Sequence, residues 1–199
     1  MTPVTDPGAR ERLLDAAERL FLESGCDAVS VRAINAAAGM NPAAVHYHFG
    51  SREQLIEALL ETRLAALWER SLGELSQPPA QVAELVEAMV APLTGLAKHR
   101  LGRLHLHLLA RVVLGDHRPE WTSRWFGLAP WAGLLRAACP DLTVREAKQR
   151  WVLAVQLILQ AFGAPQSVRP PGAGPSAAAV RRLCAFVAAG LAAPTGRAR

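Results

Sequence analysis

The sequence predicts an all-α protein: an N-terminal three-helix head holding a helix-turn-helix, then a larger helical body. Three observations carry that expectation. Apolar residues recur at i, i+3, i+4 and i+7 in segment after segment, the spacing of one helix face. Residues 30–52 read as two short helical patterns broken by Gly39 and closed by Gly50. A length of 199 residues with 51% apolar composition can fill one small module and one larger core.

The first helix is expected over residues 9–24, where Leu13, Ala16, Ala17, Leu20 and Phe21 form one face that packs over the next two helices. Ser30 can cap a helix over 31–38. Gly39 then reverses the chain in the left-handed conformation, where a Cβ would clash. Asn41 is placed to cap the second short helix, with Pro42 at its first position, where a missing N–H costs nothing. Ile34, Val45 and Phe49 turn inward, while Ala43, His46 and Tyr47 lie together on another side. Ala43 and Ala44 are small enough for close approach to base edges. Ser51, with Gln54 three residues on, makes the capping box of the next helix.

An exposed second helix of this kind is the form of a DNA-reading element. Tyr47 and His48 can donate to phosphate oxygens, and Arg32 and Arg52 supply flanking positive charge. His46 and Ala43 are placed for base edges, Ala43 through a thymine methyl group. Asn41 and Pro42 complete the DNA-facing set. The net charge of +5 adds nothing specific, because residues 1–52 hold five arginines against six carboxylates. The plainer reading is a set of Ala-rich core helices bearing surface histidines.

These residues resemble the DNA-binding signature of the TetR family of one-component bacterial regulators. The resemblance implies that Arg32 opens the helix before the turn and touches DNA. It also implies that Tyr47 is the family's common aromatic, Phe49 its apolar anchor, and Arg52 the occupant of a phosphate-contacting position usually held by lysine. Asn35 departs from the pattern, since that tight helix–helix contact usually takes alanine and an amide there needs a partner. His46 stands where other members carry tyrosine or other residues, so no operator sequence follows. The likeness covers residues 30–75, and residues 87–93 are similar to the fatty-acid-responsive, PsrA-like branch. That branch implies a fatty acid or acyl-CoA effector. The expected division is a helix-turn-helix DNA-binding domain over 1–52 and a helical ligand-binding and dimerisation domain over 53–199.

From Arg52 a long helix is expected through Leu55, Leu59, Leu60, Leu67 and Trp68 until Pro78-Pro79 stops it. The family resemblance makes it the connector whose pitch sets the head's position. Helices over 80–98, bent at Pro92, and over 101–115 follow. Residues 120–138 supply Trp121, Trp125, Phe126 and Trp131 in a helix interrupted at Pro130. After Pro140, Thr143 and Glu146 form a capping box for a helix over 144–162, apolar on nearly every side. A turn-rich linker over 165–175 leads to a last helix over 176–191, and 194–199 form a frayed tail.

A helix apolar all round must be covered all round. Trp151, Val155, Leu159 and Phe162, with Val180, Leu183, Val187 and Leu191 of the last helix, are therefore expected to form a four-helix homodimer contact; a monomer core is the alternative. A two-fold dimer sets its recognition helices one DNA turn apart, ~34 to 36 Å, and predicts a palindromic operator. Leu85, Met89, Leu93, Leu104, Leu108, Val112, Trp125 and Trp131 line either a pocket for an apolar effector or a closed core. His99, His105 and His107, with Lys98, Arg100, Arg103 and Arg111, form the main polar cluster of the body. It reads as a rim for a carboxylate or as solvated surface. On a helix His105 and His107 point about 200° apart, a poor chelating pair.

No apolar leader opens the chain, so no signal peptide is expected. The uncharged stretch 151–168 contains Gln156, Gln160 and Pro165, which speaks against a membrane span. Cys26, Cys139 and Cys184 are widely spaced and fit the reduced thiols of a cytoplasmic protein without a membrane partner. No nucleophile–base spacing, metal motif or glycine-rich phosphate loop is present in the sequence, so no enzyme, metal or cofactor is expected. The expected function is a homodimeric repressor on double-stranded operator DNA, released when a small apolar molecule favours a body conformation that tilts the connector. A hundredfold preference for the released state supplies about 2.7 kcal/mol. Activation stays open, and the alternative class is a DNA-independent helical interaction module or small-molecule-binding protein.

Overall fold

The computed structural model describes residues 7–73, 81–115, 119–163 and 174–194. All regular elements among them are helices: α1 Pro7–Ser24, α2 Val31–Ala37, α3 Ala44–Phe49, α4 Arg52–Gly73, α5 Val82–Ala97, α6 Arg100–Leu114, α7 Leu128–Ala138, α8 Val144–Gly163 and α9 Ala177–Ala192. The chain divides into two compact units, Met1–Arg63 and Leu64–Arg199. The division falls inside α4, later than the motif-based boundary at 52/53. Leu55, Ile56, Leu59 and Leu60 at the start of α4 are all buried.

In the first unit, Leu13, Leu14, Ala17 and Phe21 give α1 a buried face. The α2 start is capped as expected, the Ala33 N–H donating to Ser30 Oγ at 3.2 Å. Gly39 follows at φ +66°. The next turn differs from expectation. Asn41 Oδ1 accepts from the Ala43 N–H at 3.0 Å and its carbonyl from the Ala44 N–H at 3.1 Å, so Pro42 and Ala43 form a turn and α3 begins at Ala44. A short Asx side chain bonding its own backbone two residues on favours that turn over a longer helix. Ser51 Oγ then accepts from the Gln54 N–H at 3.1 Å. Arg63 binds three α1 carboxylates, Glu11 at 2.5 Å, Asp15 at 2.6 Å and Glu18 at 3.4 Å.

The second unit is built around α8, which packs on α6, α7 and α9. Trp151 is its buried centre, and its indole N–H donates to the Trp131 carbonyl at 2.9 Å. The Thr143–Glu146 capping box forms, with the Thr143 N–H on Glu146 Oε2 at 2.9 Å and the Glu146 N–H on Thr143 Oγ1 at 3.2 Å. Hydrogen bonds from the Thr143 side chain and backbone hold the Glu146 carboxyl below its usual range. Arg150 reaches the α9 end, donating to the Leu191 and Ala193 carbonyls at 2.7 and 2.5 Å. Pro92 lies inside α5 without ending it.

One helix is shorter than the sequence pattern suggested. Pro130 does not interrupt a helix over 120–138; it lies in the first turn of α7, where its missing N–H would have no intrahelical partner. Residues 119–127 are irregular instead. The expected stop at Pro78-Pro79, the 165–173 part of the linker and the 195–199 part of the tail lie outside the described residues. Among the described residues no helix is long and apolar enough to cross a membrane.

Candidate nucleic-acid interface and body cavity

The α3 helix buries Ala44, Val45 and Phe49 and presents His46 and Tyr47, the latter 61% exposed. Arg32, Asn41, Pro42 and Ala43 are exposed as well. The His46 ring is fixed: its Nδ1 lies 3.0 Å from the Gly50 carbonyl, which can only accept. With the proton on Nδ1, a neutral ring leaves Nε2 as an acceptor.

Three expected DNA-facing features are placed otherwise. Arg52 is half-buried, with Nη2 donating to the Cys26 carbonyl and lying 3.3 Å from Cys26 Sγ, and its Cζ is 5.5 Å from the Phe21 ring centroid. Its fork fastens the loop after α1 to α4 instead of standing free for a phosphate. His48 is half-buried edge-on to Tyr47, and its Nδ1 is enclosed without a hydrogen-bond partner among the described residues. Ala44 is buried, so the small exposed residue beside the helix is Ala43, in the turn that precedes it.

Two residues outside the expected set organise this face. Asn35, only 1% exposed, donates Nδ2–H to the Pro42 carbonyl at 2.6 Å and accepts the Val45 N–H on Oδ1 at 3.1 Å. Position Ala43 gives α3 no side-chain cap, so Asn35 performs that task from α2. Arg10 donates to the His48 carbonyl at 3.4 Å and lies 4.5 Å over the Phe49 ring, a cation at the negative end of α3.

The second unit holds a cavity of about 620 Å³. Met89, Leu93, Trp125 and Trp131 are among the residues that line it. Leu85, Leu104, Leu108 and Val112 do not; the first three are buried in the core, and α6 turns Leu109 and Val113 to the cavity instead. Apolar residues occupy so much of α6 that their period alone does not say which strip meets a void. Trp68 from α4, Trp121 and Phe126 from the irregular segment, and Val152, Val155 and Gln156 from α8 complete the wall. The basic cluster stands elsewhere: His105 is buried, His107 Nδ1 lies 3.3 Å from the Gly163 carbonyl, and Arg103 donates to the Ala97 carbonyl at 3.2 Å. None of the cluster's residues lines this cavity, and His107 and Arg111 instead border a separate, more open pocket with Leu114 and Gln160.

Most of the expected dimer residues are covered by their own chain. Trp151, Leu159, Phe162, Val187 and Leu191 are buried, Val155 and Leu159 wall the cavity, and Val180 and Leu183 are half-buried. The most exposed large apolar side chains of α8 and α9 among the described residues are Leu153, 68% exposed, and Phe186, 70% exposed, with Val144 and Val152 of α8 exposed as well. Leu153 and Phe186 border a groove of about 190 Å³ shared with Leu157 and Gly190.

Residues 13–59 match the family described as bacterial regulatory proteins, tetR family. The chain is 30% identical over 129 residues to the transcriptional repressor KstR2 of Rhodococcus jostii, covering 61% of this chain and 63% of that one. It thus spans less than two thirds of that relative, and its matches to the regulators BetI and UidR are shorter still. In fold it is similar to a TetR-family regulator of Streptomyces coelicolor A3 (TM-score 0.55, 21% identity, 96% of this chain and 98% of that). It is also similar to RolR in complex with resorcinol (TM-score 0.60, 15% identity, 94% and 87%). Residues 13–59 are thus similar to the bacterial tetR family model, and the described chain shares its fold with solved regulators of that family.

Proposed function

We propose that the chain is a cytoplasmic, homodimeric TetR-type repressor that reads a palindromic operator with α3 and is released by an apolar small molecule in the body cavity. The carrying observation is the outward face of α3: a helix with three buried apolar residues spends Tyr47 and His46 on solvent. In this reading Tyr47 donates to a phosphate oxygen and Arg32 adds charge beside it. His46 Nε2, left as an acceptor, suits the amino edge of adenine or cytosine, and Ala43 a thymine methyl. Asn41 and Pro42 hold the turn that lets the backbone approach.

Release has a physical route. One helix, α4, carries Arg63, bonded to the α1 carboxylates, and Trp68, part of the cavity wall. A ligand that displaces Trp68 acts on the helix to which the α1 side chains are fastened. The description of KstR2 as a repressor and of RolR with resorcinol supports a ligand-released repressor. The likeness of residues 87–93 to acyl-responsive regulators supports a second reading in which the effector is a fatty acid or acyl-CoA.

The test is retardation of duplex DNA from upstream of the chain's own gene. Wild-type binding is expected to fall steeply with salt, and His46→Ala and Tyr47→Ala each to lose about tenfold or more in affinity with unchanged helix content. Unchanged binding in both variants defeats the groove-facing assignment. Absent or salt-independent binding by the wild type favours a DNA-independent interaction module.

A further inference from the structure

Resting on the reading of the body cavity as the effector site, we propose that its ligand is an uncharged molecule of two or three aromatic rings with one hydrogen-bonding substituent. Four of the chain's five tryptophans, Trp68, Trp121, Trp125 and Trp131, line this one space together with Phe126. They converge from α4, the irregular segment before α7, and α7 itself. A closed core of these residues would pack to a density that leaves few voids larger than a water. Here the rings border a pocket of about 620 Å³ that opens to solvent. An apolar cavity of ~150 Å³ takes up benzene, so this one has room for several rings with substituents.

The ring geometry argues for a neutral aromatic guest. Trp68 meets Phe126 at 86° with centroids 5.4 Å apart, and Trp125 meets Trp131 at 69° and 5.8 Å. Such edge-to-face pairs offer a guest both electron-rich faces and electron-poor edges, and a further neutral ring continues the pattern. A cationic guest needs an open ring face, and a face of Trp125 is already taken by the Arg124 guanidinium, 4.7 Å from the ring centroid. An anion fares worse. The lining among the described residues contains no Lys, Arg, His, Asp or Glu, so a carboxylate or phosphate would meet no charged partner in the wall. Besides the indole N–H groups, the polar side chain in that lining is Gln156, exposed on α8 one turn from exposed Val152. A carboxamide both donates and accepts, and at this position it can read a hydroxyl or carbonyl on the guest.

The experiment follows tryptophan fluorescence of the full chain, most of whose fluorophores line the cavity. The probes are 1-naphthol, naphthalene, palmitate, palmitoyl-CoA and tetramethylammonium. Saturable one-to-one quenching is expected with 1-naphthol, about fivefold weaker binding with naphthalene, and no saturable change with the other three. Trp125→Leu should weaken 1-naphthol about tenfold, and Gln156→Leu should abolish the preference for 1-naphthol over naphthalene. Gln156 is exposed, so its variant stays informative even if Trp125→Leu fails to fold, which circular dichroism reports. Saturation by palmitate, palmitoyl-CoA or tetramethylammonium with silence from the aromatics overturns the ligand class and leaves the cavity as an effector site. Silence from every probe overturns both. Wild-type affinity for 1-naphthol in both variants, once folded, places the molecule elsewhere and also overturns the proposal.

Discussion

Asn35 has both ends of its carboxamide in use inside the head, one on the Pro42 carbonyl and one on the Val45 N–H. That N–H is one of the donors every helix start leaves without an intrahelical acceptor. Replacing the side chain by methyl would strand a buried donor and a carbonyl together, so Asn35→Ala is expected to cost about 2 kcal/mol. Asn35→Asp keeps the acceptor, loses the Nδ2 donor and buries a charge, and is expected to cost more. Urea denaturation of the full chain checks both, and wild-type stability in Asn35→Ala would show that the bonds contribute nothing. The need for a partner was legible at this position, because an amide inside a tight helix contact must be satisfied. The partner was not, since Val45 comes within reach only after a turn seven to ten residues away has formed. Arg52 has the same history: its charge was legible, and its fastening to Cys26 depends on a loop that no local spacing describes.

Where α6 and α8 cross, a Cβ on Gly163 would stand 2.2 Å from Ala110 Cβ and 2.9 Å from the Leu106 carbonyl. Neither neighbour can swing away, because one is a methyl on the backbone and the other is backbone. Gly163→Ala is therefore expected to lower stability by about 1–3 kcal/mol. Gly133, inside α7, has nothing within 4 Å of such a Cβ. Gly133→Ala should raise stability by about 0.5–1 kcal/mol, since it removes glycine's excess freedom from the unfolded chain. Thermal melts that shift both variants in one direction would refute this account of the crossing. Elements were largely legible in the sequence: the Ser30, Ser51 and Thr143 caps and the Gly39 turn are local chemistry, and they stand where the spacing put them. The late start of α7 was not, because Pro130 reads equally as an interruption or as a first-turn residue until the path of 119–127 is known. Neither was the cavity-facing strip of α6, which an apolar period narrows to a broad face and no further.

For the assembled protein, the same ambiguity governs the proposed dimer. The stripes of α8 and α9 marked Trp151, Leu159, Phe162, Val187 and Leu191 as residues in need of cover, and the chain itself covers them. Periodicity states that a face is apolar and leaves open whether the cover is another part of one chain or a second copy. Leu153 and Phe186, at 68% and 70%, are the most exposed large apolar side chains of α8 and α9 among the described residues, and they border one groove of about 190 Å³. Leu153→Glu with Phe186→Glu places like charges against each other across any two-fold contact at this face. Sedimentation is expected to show a wild-type dimer and a monomeric double variant with unchanged helix content. Losing the second half-site contact should weaken operator binding about a hundredfold or more, because two linked heads bind far better than one. Fluorescence titration with 1-naphthol should be unaffected, since one chain lines the whole cavity among its described residues. A double variant that remains a dimer puts the contact on some other surface, and a monomeric wild type removes the paired-head account of operator reading.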